Sequence, residues 1–523
     1  QDGRLSAAAN ELAGLCVAAA RRKMIDALAA QGLITGRAPT VQNVRVHDRC
    51  DTPVEYVVTD QWFVRALGFT EPLLAAGEKI TWHPAHMAEV YRQWVQNLSW
   101  DWCISRQRYH GVPLPVWYCA DCGQVMVAEE DQLPVDPREV VPHGPCAACG
   151  GQHFAPETDV LDTWATSSLT PQISAGWLSD DELYEQVTPM SLRPQAHEII
   201  RTWAFYTILK CHHHFGTIPW SDVAISGWGL APDGAGKISK SRGGGQATPQ
   251  QMMDRYSADG VRYWAASTGF GRDSVINEEK MESGQRLSVK LWNVARFASG
   301  FLLQPGTADA ESVLLAPTDR WLLSRLQRVV TEASEGFEAN EYSTAMVATE
   351  RFFRNDLADN YIELAKKRLY DEQDTCHSGA RYAISIALSS VIRLFAPILP
   401  YVTEALHTRL FAADGTSVHI DCWPTLHGWL DDGAERIGEQ LLMVATAVRR
   451  YKTANNLRLG AQLPGLALAT ADDELASALI EARIDLASVS RAQELSVSLD
   501  LPAGWEVLET DGAIQVAVQT CMA

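Results

Sequence analysis

The chain has 523 residues, 46% hydrophobic and 21% charged, with a formal net charge of −20. That length suffices for three or four domains, and the acidic balance excludes indiscriminate nucleic-acid binding while leaving room for a local basic patch. Eleven cysteines are too few for a disulfide scaffold, no apolar run reaches the ~18 residues of a spanning helix, and the first residues are not a signal peptide. The expected setting is the cytoplasm, with no membrane partner. The chain begins with Gln1 rather than methionine, which reads as a processed chain or a piece of a longer one.

Residues 5–35 are alanine-rich. Leu12, Leu15, Val17, Met24, Ile25 and Leu28 recur at helical spacing, and Gly32 is placed to end the run. Between 40 and 60 the apolar residues alternate more (Val41, Val44, Val46, then Val54, Tyr56, Val58), which predicts short strands. The segment 82–98 reads as helical. Residues 111–160 are rich in proline and glycine and predict little regular structure.

That last stretch holds two cysteine pairs. Cys119 and Cys122 form one C-x-x-C, Cys146 and Cys149 the other, and Gly123 and Gly150 follow them. Four thiolates at this spacing can surround one zinc ion tetrahedrally, and glycine lets the backbone turn around the metal. His143 and His153 lie close enough in sequence to replace a cysteine, but four cysteines are the simpler set. Four protein ligands leave no position for water, so the predicted Zn2+ is structural.

Residues 194–215 carry Ile199, Ile200, Trp203, Ala204, Ile208 and Leu209 at helical spacing, and Val223–Leu230 reads as a buried strand entering a turn. Soon after comes Lys237-Ile238-Ser239-Lys240-Ser241, with Arg242 and three glycines. A flexible cationic loop beyond a buried strand suits phosphoryl electrostatics, although alone it is more often an ordinary charged surface loop. Thr248-Pro249-Gln250-Gln251 is a helix start: Thr248 caps, Pro249 takes the first helical position and Gln251 closes a capping box. Ser257-Ala258-Asp259 opens another helix. Amphipathic segments then follow at 281–301, 317–337, 342–370, 378–395 and 400–411, a helical bundle interrupted by Pro397 and Pro400. Gly415–His419 reads as a turn before a short strand. From about 460, an alanine-rich helix at 472–486 between alternating segments predicts a small α/β domain.

Several stretches are more specific than their composition. They are Thr59–Val64 (TDQWFV), Asp101–Tyr109 (DWCISRQRY), Asp159–Ser168 (DVLDTWATSS), Arg193-Pro194-Gln195, Ile199–Tyr206 (IIRTWAFY), the lysine loop with Arg242-Gly243-Gly244, and Val261–Ser267. In these the chain resembles the C-terminal part of a class I aminoacyl-tRNA synthetase, and within that family the valyl-tRNA synthetases, from about residue 40 to the end of the bundle. The resemblance implies a multidomain α/β plus all-α fold. Residues 1–58 would be the tail of an editing-type insertion. Residues 59–280 would be the second half of a Rossmann-like catalytic domain, with the zinc module at 111–158. A helical anticodon-binding domain at 281–455 and a small C-terminal α/β domain at 456–523 would follow. The implied activity is valine–tRNA ligation: valine and ATP, carried with Mg2+, form valyl-adenylate and pyrophosphate, and valine then passes to tRNA-Val.

By resemblance, Lys237 and Lys240 belong to the mobile signature loop and bear on the reacting phosphates, Lys240 most directly. Ser239 and Ser241 hold the loop or donate to ATP. His197 and Glu198 fall near the adenosine ribose, and Trp164 and Trp203 at the amino-acid pocket, with core packing as the plain alternative for each tryptophan. Trp292, Asn293, Arg296, Arg351, Arg354, Asn355, Asn360, Lys366, Lys367 and Arg368 are candidates for the tRNA-facing surface. Tyr361 would stack on loop bases, and a solvated helix face is the plain alternative for all of them.

Two departures matter. The family shows Gly-His-Asp where this chain has Ala196-His197-Glu198, which adds a methyl and lengthens the carboxylate by one methylene. The second class I signature, His-x-Gly-His, does not occur; His83-Pro84-Ala85-His86 is the nearest look-alike and stands in the wrong order. The expectation is a chain that needs a separate or upstream segment for the first half of its catalytic fold and is inactive alone. The alternative is a non-catalytic, tRNA-binding paralogue.

Overall fold

The computed structural model describes residues 3–47, 50–54, 58–231, 248–303, 313–412, 415–508, 510 and 513–519. The lysine loop, with Lys237, Ser239, Lys240 and Ser241, lies outside the described residues, as does Tyr56. The chain divides into two compact units: Gln1–Ile80, Ala88–Ser191 and Glu198–Ser221 form one, and Thr81–Met87, Leu192–His197 and Asp222–Ala523 the other. Among the described residues, no helix is long and apolar enough to cross a membrane.

In the first unit, the expected helix at 5–35 is two pieces, a 3-10 turn Ala7–Leu12 and a helix Val17–Ala30. Gly14 at φ 74° breaks the run, and backbone bonds from Leu5 to Leu15 (3.0 Å) and from Gly14 to Leu5 (2.9 Å) tie its ends together. Gly32 ends the second piece at φ 67°, a conformation glycine takes without strain. The alternation after residue 40 forms no strand among the described residues, only a bridge between Val46 and Pro53. Val41 is 99% exposed, because alternation makes a strand only where a second strand takes up its hydrogen bonds. The cysteine-bearing stretch is more regular than expected. Val116–Cys119 pairs antiparallel with Val125–Val127 on one side and Phe154–Pro156 on the other. Trp117 is buried behind them and donates its indole N–H to Pro137 O and Val140 O.

The segment read as a helix at 82–98 begins as a strand, Thr81–His83, and becomes helical only at Met87–Gln96, after Pro84. In the second unit that strand runs parallel to Trp220–Ser226, with Asp222, Val223 and Ala224 opposite Thr81, Trp82 and His83. The His83 ring is 2.8 Å from Asp222, so the look-alike histidine supports the sheet. Met190–Ala196 flanks the other edge of Trp220–Ser226. The helix Pro249–Ala266 starts on the expected capping box of Thr248 and Gln251 and kinks at Ser257, whose hydroxyl caps Gly260 N (3.2 Å) as the next helix opens.

The bundle follows the amphipathic pattern. Its helices are Glu278–Ala298, Pro317–Glu338, Tyr342–Arg351, Ile362–Tyr370, His377–Phe395, Pro400–Leu410 and Asp432–Ala454. Leu291, Leu322, Leu326, Phe352, Phe353, Leu388 and Phe395 fill a common core. Between the third and fourth of these helices, Phe352–Tyr361 winds as a π-helix, which the periodicity did not foretell. After Gly415 comes a 3-10 turn, Val418–Ile420, in place of the expected strand. The C-terminal residues form a four-stranded sheet. Leu463–Ala469 lies parallel to Ala492–Ser498 and antiparallel to Gln515–Gln519, which carries Glu506–Leu508. The alanine-rich segment between the parallel strands is two helices, Asp473–Glu481 and Arg483–Ser490.

A buried ion cluster joins this sheet-and-helix region to the bundle and corrects two sequence readings. The Arg368 side chain is 3% exposed, and Asp319 and Asp485 are 0%. Its guanidinium donates to Asp485 Oδ1 (2.7 Å), Asp319 Oδ1 (2.8 Å), Asp319 Oδ2 (2.9 Å), Thr318 Oγ1 (2.9 Å) and Cys376 O (3.1 Å). Tyr361, fully buried, donates to Asp319 Oδ1 at 2.8 Å. Arg368 and Tyr361 therefore face the interior and present nothing to RNA, unlike the surface positions expected of them, because partners far away in sequence draw both inward.

Candidate functional site

In the first unit, three of the specific sequence stretches come together. Phe63 and Val64 pair with Cys103 and Trp102, while Ser105 and Arg106 pair with Leu161 and Val160. Ser105 Oγ donates to Gln61 Oε1 (2.7 Å) and accepts from Trp62 N (2.9 Å). Arg106 reaches Asp162 Oδ2 at 2.9 Å. Glu157 accepts from the Trp62 indole (2.8 Å) and the Tyr118 hydroxyl (2.6 Å), and its pKa is lowered because these donors and the backbone N–H groups of Asp159 and Thr158 outweigh its burial. An open polar cavity of about 1,200 Å³ is bordered by Asp60, Gln61, Gln107, Arg108, Glu157 and Asp159.

Asp162 caps the short helix Thr163–Ser167, which carries the half-buried Trp164. Two donors hold the carbonyl end of that helix: the Trp203 indole bonds Ser167 O (2.8 Å) and Lys210 Nζ bonds Ala165 O (3.0 Å). Burial drives Lys210 down to about 8. Trp203 is 3% exposed and stacks on Trp220 with ring centroids 5.9 Å apart. It is a core residue, which corrects its reading as a pocket wall.

The four cysteines also meet in this unit. Cys119 and Cys149 sulfurs are 3.6 Å apart, as are those of Cys122 and Cys146, and all four lie within 4.8 Å of one another. A tetrahedron of ~2.3 Å zinc–sulfur bonds has edges of ~3.8 Å, so the set fits that ion. Gly123 and Gly150 adopt φ 76° and 74°, and their N–H groups bond Cys119 O (2.8 Å) and Cys146 O (2.7 Å), two matching knuckles. Backbone N–H groups of Cys149 and Ala148 hold the Cys146 thiol down to about 7. His143 and His153 stand outside the four-sulfur set, 3.8 Å from Asp131 and 4.0 Å from Asp121 respectively.

In the second unit, groups gather past the carboxyl end of the strand Trp220–Ser226, where open α/β sheets take ligands. His197 Nε2 is 3.2 Å from Asp273 Oδ1, which also accepts from Trp228 N (2.8 Å). The His197 and Trp228 rings lie 4.9 Å apart. The Trp228 N–H, together with His197, lowers the Asp273 pKa. A Cβ on Gly227 would stand 2.1 Å from Arg272 O, so this close approach needs glycine. Gln195 is 7% exposed, and its side-chain oxygen has no hydrogen-bond partner among the described residues. Glu198, next in the chain after His197, is exposed.

Comparison with known proteins follows the same segments. The family model of class I tRNA synthetases (I, L, M and V) matches residues 10–277, and that of the anticodon-binding domain of tRNA ligases matches 319–466. The chain belongs to the class I tRNA synthetases. It is 41% identical over 509 residues to a valine–tRNA ligase of Methanopyrus kandleri, covering 96% of this chain and 55% of that relative. It is 41% identical over 460 residues to one of Anaplasma marginale, covering 86% and 54%. The chain thus spans about half the length of these curated relatives. A methionyl-tRNA synthetase structure from Mycobacterium tuberculosis shares the fold at TM-score 0.53 and 18% identity, covering 75% of this chain and 72% of that one.

Within the bundle of this synthetase chain, a groove of about 490 Å³ runs between the helix Glu278–Ala298 and the wall formed by Phe352–Tyr361 and Ile362–Tyr370. Its apolar lining is Val289, Val294, Phe297, Ala358 and Ile362, and Arg286, Lys290, Asn293, Glu363 and Lys366 supply the polar part. Lys366 Nζ lies 5.5 Å from the centre of the Phe297 ring and 3.1 Å from Glu363. Of the other tRNA candidates, Arg296 and Lys367 are exposed, and Trp292 packs under Arg409 at 5.0 Å. Arg351 pairs with Glu332 (3.2 Å) and Arg354 with Glu350 (2.6 Å). Sequence reading passed over Phe297 and Val289. The available signal was a helix apolar on a second face, outside the Leu287, Leu291 and Ala295 stripe that enters the core.

Proposed function

We propose that this chain serves valine–tRNA ligation, contributing the lysine-loop part of the catalytic fold and the anticodon-binding domain. The observation that carries the reading is the 41% identity to a valine–tRNA ligase over 96% of the chain. In the reaction, a valine carboxylate oxygen attacks the α-phosphorus of ATP and pyrophosphate departs. A ribose hydroxyl at the tRNA end then attacks the valyl carbonyl and AMP leaves. Lys237 and Lys240 would hold the negative charge that builds on the phosphates, a task suited to rotatable ammonium donors, while Ser239 and Ser241 donate to the same oxygens. His197, fixed by Asp273, and the Gln195 oxygen, unpartnered among the described residues, would meet the adenosine end, with Glu198 as the ribose carboxylate. Trp164 would border the amino acid.

The four cysteines would hold one Zn2+ with every position filled by protein, so the metal fixes the 111–158 backbone and takes no part in the chemistry. The groove lined by Phe297, Asn293 and Lys366 would receive unpaired bases of the anticodon loop, since an aromatic floor stacks bases and amides read their edges.

Lys240→Ala tests the chemical part. Valine-dependent ATP–pyrophosphate exchange, measured in the full-length protein, is expected to fall by about 10²–10³-fold with little change in the valine KM, because the lost charge acts on the transferring phosphate. Equal exchange by mutant and parent would contradict the role.

A further inference from the structure

One wall of the groove is built unusually. Phe352–Tyr361 winds as a π-helix between two α-helices, a wide turn of the kind found at functional sites. Ala358 on this turn lines the groove, and the neighbouring Asp359 carboxylate takes Lys290 at 2.7 Å from the opposite helix. From behind, Arg449 of the helix Asp432–Ala454 donates through Nη1 to Asn360 Oδ1 (2.8 Å) and through Nη2 to Asp359 O (3.1 Å). Asn360 in turn donates to Asn355 O (2.8 Å), closing a chord across the wide turn. Arg449 is half-buried and does not line the groove. Its planar fork suits two fixed acceptors at once, which a single ammonium cannot match. A turn relaxing toward α geometry would rotate Ala358 and Ile362 away from the groove.

We infer that Arg449 is a positioning residue for RNA recognition, pinning the π-helical turn at Asp359–Asn360 so that the groove keeps the shape that admits anticodon-loop bases. This rests on the reading of the groove as the RNA surface. The arrangement divides the work: Lys290 fixes the front of the turn and Arg449 fixes its back, and neither Arg449 nor its anchor Asn360 lines the groove that the bases would enter.

The test uses the full chain and two synthetic RNA hairpins, one with a valine anticodon loop and one with the loop scrambled. Affinity is measured against salt for the parent, Arg449→Met, Arg449→Lys and Asn360→Ala. Arg449→Met is expected to weaken binding of the valine hairpin by about tenfold and leave the scrambled hairpin unchanged. Asn360→Ala keeps the cation and removes its anchor, so it should give a loss of the same kind. Arg449→Lys should recover part of the affinity. The salt slope should stay at the parent's value; a slope shallower by about one would place the guanidinium on an RNA phosphate and overturn the inference. Parent-like binding and discrimination by both Arg449→Met and Asn360→Ala would overturn it too, while leaving the groove reading intact. If Arg449→Met lost its thermal transition, Asn360→Ala would carry the test. A parent that fails to distinguish the hairpins would overturn the groove reading, and this inference with it.

Discussion

Arg368→Met is expected to destabilise the chain by about 3–5 kcal/mol. Among the described residues, the guanidinium is the one cation paired with Asp319 and Asp485, both fully buried. Burial pushes the Asp485 carboxyl up, and Arg368 works against that rise. Methionine fills a similar volume but leaves two carboxylates in the interior without their cation, and it removes the guanidinium bonds to Thr318 Oγ1 and Cys376 O as well. Asp485 belongs to the helix Arg483–Ser490, so the loss should loosen the C-terminal sheet region from the bundle. A solvated control separates this from a general charge effect. Arg436 is 46% exposed and pairs with Glu474 and Asp472, and Arg436→Met should change stability by less than about 1 kcal/mol. Urea unfolding of both variants is the measurement, and similar small shifts in the two would contradict the account of the cluster.

Loss of the metal centre should be the other large effect. Structural zinc contributes on the order of 10 kcal/mol to small modules that it organises. The strands Val116–Cys119, Val125–Val127 and Phe154–Pro156 are short, and two cysteine knuckles close their ends. Cys146→Ala, or chelation, should therefore open residues 111–158 before the rest of the chain. Metal analysis should give about one equivalent of zinc in the parent, and hydrogen exchange should show protection lost first in that segment. Less than about half an equivalent in the parent, or full protection in Cys146→Ala, would contradict a structural Cys₄ centre.

Local signals in the sequence were reliable where local physics decides. The capping box at Thr248 and Gln251, the kink at Ser257 and the breaks at Pro397 and Pro400 depend on neighbours within four residues, and each stands where its residues put it. The C-x-x-C pairs needed one further step, since Cys119 and Cys149 meet across thirty residues, but their spacing already carried that geometry. Long-range partners were not legible. Arg368 and Tyr361 sit on an amphipathic helix run as exposed residues would, and only the fold brings Asp485 to Arg368 across 117 residues and Asp319 to Tyr361 across 42. The π-helix was hidden because one extra residue per turn blurs a helical period without breaking it. Alternation at 41–58 predicted strands, yet that pattern specifies a face and not the partner that must hydrogen-bond to it. Trp203 shows the same limit: its side chain completes a core and holds Ser167 O, and a tryptophan in a motif gives no hint of which way it points.

Aminoacylation tests the central claim most directly. Charging of tRNA with valine, isoleucine and threonine is measured for this chain alone and together with any segment encoded upstream of it, with Lys240→Ala alongside. The account predicts that valine is charged in preference to the other two, in the presence of that segment, and that Lys240→Ala removes most of the charging while tRNA binding persists. No charging in either form, or preference for an amino acid other than valine, would contradict it.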